Sequence, residues 1–389
     1  MTVFFRVLDE AVDEKASKLH RAVSALRRGE LSVTELDPVA FSAVPGSPFA
    51  YWVSEDIRSV FQRFDKFESR DRNVRQGLAT ADDFRFLRAW WEVAPNQLGA
   101  GWFSFAKGGN FSPFYADIPL VLEWRNAGAV LKAKVIAEYG NAGKRIYNEE
   151  FYFRPGITWP LRAHRFAPQT LPANCICSVR GYSAFTPDDS LLATLAVFNS
   201  SCFDFLFKTF LGRFGFPEFI VGILQQMPWA EPDGELRDTA TSLARRAWSL
   251  RRSLDTTSET SHAFLMPAAT NTVDRESLLQ ELASIQQQID NDVFRLYGVG
   301  AEDRLAIQSA GTVALRDGDA SNELDDEGDE PGDQATESDA DVSSAFGSWL
   351  VGVAFGRFDP RLATGERAIP PEPEPFDPLP SRSPGMYPE

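Results

Sequence analysis

Between Asp317 and Asp341 the chain carries twelve Asp and Glu, no Lys or Arg, and almost no large apolar side chain. A stretch of this kind cannot bury enough surface to offset the entropy of ordering it. It reads as a disordered acidic linker over residues 312–345. Everything ahead of it must build its own core. Only a short piece follows, residues 346–389, with an apolar segment (SAFGSWLVGVAFGRFD) and a Pro-rich tail that reads as extended. The run also accounts for the charge. The formal charge is −16, but −4 without those twelve acids. From Arg58 to Arg165, seventeen Lys and Arg stand against eleven Asp and Glu, a local +6. The acidic excess belongs to the linker, and a large internal region is basic.

Apolar spacing organises the rest. Residues 10–28 read as an amphipathic helix, with Val12, Ala16, Leu19, Val23 and Leu26 at spacings of four and three. From 61 to 186, short β-prone runs (LVLEW, YNEEFYF, CICSVRGYSAF) are broken by Gly, Pro and Asn. Residues 191–212 read as one mostly buried helix. Two further helices carry four–three seams, Leu236, Ala240, Leu243, Ala247, Leu250, Leu254 and Leu278, Leu282, Ile285, Ile289, Val293, Leu296. They suit an antiparallel hairpin. The fold class is α+β, divided into a helical entry segment (1–60), a β-rich unit (61–235), the hairpin (236–311), the linker and the C-terminal piece.

Several chemistries are excluded. Three cysteines make no disulfide framework and fit a reducing, cytoplasmic setting. Three histidines at scattered positions make no zinc site. No apolar run reaches the roughly 18 residues of a membrane span, and the acidic N-terminus does not read as a secretory signal. GNAGKR (140–145) is not a phosphate loop, because its first Gly stands too close to the Lys. There is no Asn/Asp-Pro-Pro-Tyr/Phe tetrapeptide to hold a flipped adenine, no Gly-rich turn for S-adenosylmethionine, and no HExxH or GxSxG. No catalytic constellation is expected in this chain, and no cofactor.

What remains is a dense interleaving of bases and rings in RQGLATADDFRFLRAWWEV (75–93) and FSFAKGGNFSPFYADIPLVLEW (103–124). A core wants the rings but not the arginines; a nucleic-acid surface wants both. Arg72, Arg75, Arg85 and Arg88 read either as phosphate contacts or as partners of Asp71, Asp82 and Asp83. Lys107, Gly108, Gly109 and Asn110 read either as a turn bringing backbone and a cation to a ligand or as a plain hairpin turn. Thr158, Trp159 and Arg162 read either as part of a DNA cleft or as a loop packed on the sheet. Trp90 and Trp91 read as core, and His164 as an ordinary histidine without a catalytic partner.

Taken in order, PGSPFAYWVS (45–54), RFDKFESRDRNVRQGLATADDFRFLRAWWEV (63–93), FAKGGNFSPFYADIPLVLEW (105–124), the stretch 152–185, LLATLAVFNSS and IDNDVFRLYGV resemble the C-terminal part of the BREX/Pgl phage-exclusion adenine DNA methyltransferases, relatives of the TaqI-like enzymes. The resemblance covers roughly residues 40–300, and VGVAFGRFDPRLATGE and PFDPLPSRSPGM also look familial. In that family this part is the target recognition domain, opened by Gly-Leu-x-Thr-Gly-x-Asn-x-x-Phe. Gly77, Leu78, Thr80 and Phe86 match it; Ala81 and Asp83 depart, replacing a glycine and an amide, and Ser112-Pro113 stands where a basic pair is common.

The resemblance implies double-stranded DNA as partner, contacted by Arg72, Arg75, Thr80, Arg85, Arg88, Lys107, Asn110, Thr158 and Arg162. It also implies S-adenosylmethionine on a separate methyltransferase chain, with other phage-defence or restriction-modification subunits nearby. The alternative is an orphan, non-enzymatic DNA-binding or interaction module left by gene truncation.

Overall fold

The computed structural model describes residues 2–5, 11–29, 34–109, 111–212, 217–271, 273–308 and 339–388. The chain opens with β1 (Thr2–Phe4) and β2 (Thr34–Leu36), an antiparallel pair flanking α1 (Lys15–Arg27). Helix α1 buries none of its residues, so the stripe of Ala16, Leu19, Val23 and Leu26 does not enter the core, and Val12 lies ahead of the helix. Helix α2 (Glu55–Arg63) starts where Ser54 accepts the Ile57 N–H at 3.1 Å; acids in its first turn and Arg63 in its last suit the helix dipole.

Two four-stranded sheets follow. In chain order their strands are β3 (Asn73–Arg75), β4 (Leu87–Ala89), β5 (Trp102–Ala106), β6 (Leu120–Glu123), β7 (Gly156–Pro160), β8 (Gln169–Leu171), β9 (Cys175–Cys177) and β10 (Gly181–Phe185). The first sheet has the order β3-β10-β7-β8 and is antiparallel throughout. The second has the order β4-β6-β5-β9, with β5 and β9 parallel. CICSVRGYSAF thus supplies one strand to each sheet, and LVLEW supplies β6. YNEEFYF is not a strand: Asn148 takes φ +54 and Glu149–Phe151 forms a 3-10 turn. A short helix, α3 (Asp83–Phe86), precedes β4, and α4 (Arg125–Tyr139) follows β6.

The expected single helix over 191–212 is two, α5 (Leu191–Phe198) and α6 (Ser201–Leu211), bent by 74°. The cause is local: Ser200 leaves helical geometry and caps α6 by accepting the Phe203 N–H. All of α5 is buried. After α7 (Val221–Leu224) come α8 (Gly234–Leu254) and α9 (Arg275–Tyr297). Leu236, Ala240 and Leu243 of α8 line one narrow cleft with Ile289, Val293 and Leu296 of α9, while Arg246 pairs with Glu281 nearer the other ends. The pair is therefore antiparallel. Ala244 and Trp248 give α8 a second buried face, and the Trp248 indole donates to Thr170 on β8. One buried cluster runs from Ile157, Trp159 and Ala184 through α5 and α6 to Ile285 and Val293, so the core does not divide at residue 235. A second cluster lies between the second sheet and α4.

The acidic linker lies outside the described residues as far as residue 338. Its expected end at 345 is too late, because a helix begins at Asp339 and runs to Ala354. The Pro-rich tail is non-helical but not loose. It straps the surface: Ala173 N–H donates to the Phe376 carbonyl, Ser249 to Glu372, and Gly385 N–H to the Phe264 carbonyl. Asp359 anchors its start, fully buried between Arg361 and Arg367, whose hydrogen bonds pull its carboxyl down to about 2. Among the described residues no single helix is long and apolar enough to cross a membrane.

Candidate nucleic-acid interface

Glycine positions build the site. A Cβ on Gly77 would lie 1.7 Å from the Cys177 carbonyl oxygen, and one on Gly181 would lie 2.2 Å from that of Ala106. These contacts let residues 77–79, 106–108 and 177–181 run side by side. Gly77 N–H donates to Ser178, Leu78 N–H to Cys177, and Ser178 N–H to Ala106. The Ser178 hydroxyl accepts the N–H groups of Arg180 and Gly181. Gly108, at φ +98, turns the chain away at the end of β5.

A braced turn projects from this junction. Ala81 sits at φ +56, a conformation suited to the glycine it replaces. The Thr80 hydroxyl and the Lys107 ammonium both donate to Asp83, and Asp82 accepts the Arg85 N–H at 3.2 Å. Partial burial raises the Asp83 carboxyl, but the bonds from Lys107 and Thr80 outweigh it and hold it below its usual range. Arg88 reaches back to the carbonyls of Phe84 and Leu87 at 2.7 and 2.6 Å. Phe86 and Leu87 are buried, and Phe84 is 92% exposed. Arg85 is exposed with its guanidinium over the Phe86 ring. Beside it is an open groove of about 540 Å³ along Ala129, Val130, Ala133 and Ala137 of α4.

The structure therefore brings Thr80, Arg85, Arg88 and Lys107 together. The other candidates lie elsewhere and have their own tasks. Arg72 pairs with Glu231 at 2.9 Å and lies over Phe67 and Trp229. Arg75 pairs with Glu68 at 2.6 Å over the Phe151 ring, and Arg162 pairs with Glu218 at 2.5 Å. For Arg72 and Arg75 the acids are not the expected Asp71, Asp82 and Asp83: Arg72 takes Glu231 from a distant segment, and Arg75 takes Glu68, seven residues before it. Thr158 is fully buried and spends its hydroxyl on the Tyr182 carbonyl, so it belongs to the sheet and not to a cleft. Thr80, at 3% exposure, braces the turn from inside. Asn110 lies outside the described residues. Trp159 is buried and donates to the Phe219 carbonyl; Trp90 is buried, whereas Trp91 is 38% exposed.

One buried polar cluster escaped the sequence reading. His262 Nδ1 lies 2.8 Å from Asp117, the ring stacks on Trp90 at 4.3 Å, and Trp90 donates to the Thr260 carbonyl. Burial, then the charge of Asp117, pushes the neighbouring Asp255 carboxyl up to about 6. These residues come from segments far apart in the chain, so no local pattern signals them. The three cysteines are buried, and burial raises each thiol, that of Cys177 to about 12. Among the described residues no group of His, Cys, Asp and Glu could hold a metal ion.

No protein-family model matches the sequence. Over 255 residues it is 26% identical to the adenine-specific methyltransferase PglX of Lacticaseibacillus casei (strain Zhang), a match covering 61% of this chain and 21% of PglX. Over 209 residues it is 26% identical to the adenine-specific methyltransferase BrxX of Escherichia coli O9:H4 (strain HS), covering 51% of this chain and 16% of BrxX. The chain is a relative of the PglX and BrxX methyltransferases. It spans about a fifth of the length of the curated relatives it matches. Among solved structures, the Type IIL restriction-modification enzyme MmeI in complex with DNA superposes with a TM-score of 0.44 at 14% identity, covering 65% of this chain and 37% of MmeI.

Proposed function

We propose that this chain is the DNA target-recognition portion of an adenine-N6 DNA methyltransferase acting in BREX-like phage defence or restriction-modification. The observation that carries the reading is the relationship to a minor share of two adenine-specific methyltransferases. The braced turn supports it: Arg85 is presented outward and Lys107 stands at its flank. Phosphate contacts from such cations would set register on the duplex, and base-edge contacts would carry sequence. The pairs of Arg72, Arg75 and Arg162 with Glu231, Glu68 and Glu218 do not involve the turn, and Thr158 is buried in the sheet, so this reading is built on the turn and not on them.

S-adenosylmethionine and the base chemistry belong to a separate methyltransferase portion or chain. Among the described residues, the groove along α4 does not fit that cofactor. It carries one carboxylate, Glu138, which is tied to Lys134, and no Gly-rich strand-to-helix turn adjoins it.

The test is a salt titration of duplex affinity. The wild-type chain should bind, and Arg85→Ala should flatten the slope by about one unit, as expected for one lost phosphate contact. No duplex binding at low salt would remove the reading; an unchanged slope in the folded variant would remove Arg85 from it. The isolated chain should transfer no labelled methyl group to adenine, and a chain bearing the Gly-rich turn and Asn-Pro-Pro-Tyr should supply the transfer. Activity of the isolated chain would refute the division of labour.

A further inference from the structure

The turn at residues 80–88 presents one feature that phosphate binding does not use. Phe84 is 92% exposed at its apex, while its neighbours Phe86 and Leu87 are buried. Single exposed apolar side chains are common and usually mean nothing. This one differs in how it is held. Its carbonyl accepts from Arg88, the preceding residue is fixed by Thr80 and Lys107, and the following N–H is capped by Asp82. Two buried residues then pin the turn to the second sheet. The backbone beneath the ring is fixed before any partner arrives, so docking the ring costs little ordering entropy.

The surroundings select the partner. Arg85 is exposed beside the ring, and Lys107 stands on the residue before it in the chain. With Asp83 paired to Lys107 and Asp82 turned to the Arg85 N–H, an apolar wedge beside an outward arginine suits a stack of bases between phosphates.

We propose that Phe84 is a wedge whose ring inserts between neighbouring base pairs of duplex DNA while Arg85 and Lys107 take flanking phosphates. This rests on the DNA-recognition reading above. The wedge predicts unstacking and local unwinding, which needs no knowledge of the recognised sequence. The probe is a closed circular plasmid relaxed by topoisomerase I in the presence of the full chain, with linking number read after protein removal. The wild type should lower the linking number. Phe84→Ala should abolish that change and weaken affinity by about ten-fold, with the salt slope unchanged, and Phe84→Trp should retain both properties. Because the site is exposed, both variants should keep the wild-type melting temperature.

If the wild type binds no duplex at low salt, the DNA-recognition reading fails and the wedge with it. If the wild type binds without changing linking number, or Phe84→Ala unwinds as well as wild type, the wedge alone is overturned. An alanine variant with intact DNA behaviour that no longer associates with a methyltransferase chain would assign the ring to a protein interface and equally overturn it.

Discussion

The surface turn at Thr80–Arg88 and the buried cluster around His262 use the same materials, a carboxylate, a nitrogen donor and an aromatic ring, to opposite ends. At the turn, Asp83 meets a lysine and a hydroxyl, and its carboxyl is held down. In the cluster, Asp255 is enclosed near a second acid, Asp117, and its carboxyl is pushed up to about 6. At the turn the ring of Phe84 is left in water; in the cluster the ring of Trp90 is covered by His262. The two are linked by β4, which leads from the turn directly to Trp90. The difference teaches that residue type does not decide the role of such a group: the partner supplied by another segment, and the degree of burial, decide it.

The largest effect should come from breaking the junction that carries the turn. Gly77→Ala places a methyl carbon against the Cys177 carbonyl, which is backbone and cannot step aside. A loss of about 3 kcal/mol or more is expected, read as a lower urea midpoint, and a variant as stable as wild type would show that the junction yields.

The cluster should respond to pH and the turn should not follow it. Asp255 keeps its proton in the folded chain through a window, from the ordinary carboxyl range of about 4 up to about 6, in which the unfolded chain has released it. Folded-state proton uptake exceeds that of the unfolded chain there, so this group's contribution to stability falls as pH rises through the window. Asp255→Asn should therefore gain about 3 kcal/mol at pH 8 and almost nothing at pH 4. Denaturation at the two pH values checks it, and an equal change at both would deny the burial effect.

Ala81→Gly should stabilise the turn by about 1 kcal/mol, because the left-handed backbone at φ +56 costs an L-residue that amount. A drop in melting temperature would mean that the methyl group makes compensating contacts. The smallest effect concerns charge. Lys107→Gln should flatten the salt dependence of duplex binding by about one unit. An unchanged slope would mean that Lys107 does not face phosphate.

Residues 236–298 were the most legible part of the fold. Leu282, Ile285, Ile289 and Val293 recur at helical spacing and are buried together, because periodicity in one helix reports directly on one face. The break at Ser200 was less so: an apolar run gives no sign of a bend that depends on one serine capping a new helix. At the candidate interface the sequence located the motif Gly77, Leu78, Thr80, Phe86 and its neighbour Lys107, but not their division of labour. Arg72, Arg75 and Arg162 found acids at Glu231, Glu68 and Glu218.

What the sequence determined by itself was local: helical seams, glycine turns, the segregation of charge, and the relationship to the methyltransferases. The first three follow from chain geometry and composition over short spans, where neighbours in sequence are neighbours in space; the last rests on motif resemblance and sequence similarity. Which arginine is spent on an ion pair, which carboxyl is raised or lowered, and which of two phenylalanines two residues apart faces water were decided by tertiary structure. Even where the partner is close in sequence, as Glu68 is to Arg75, spacing alone does not select it, and a charge or a ring acquires its energy only from what stands beside it.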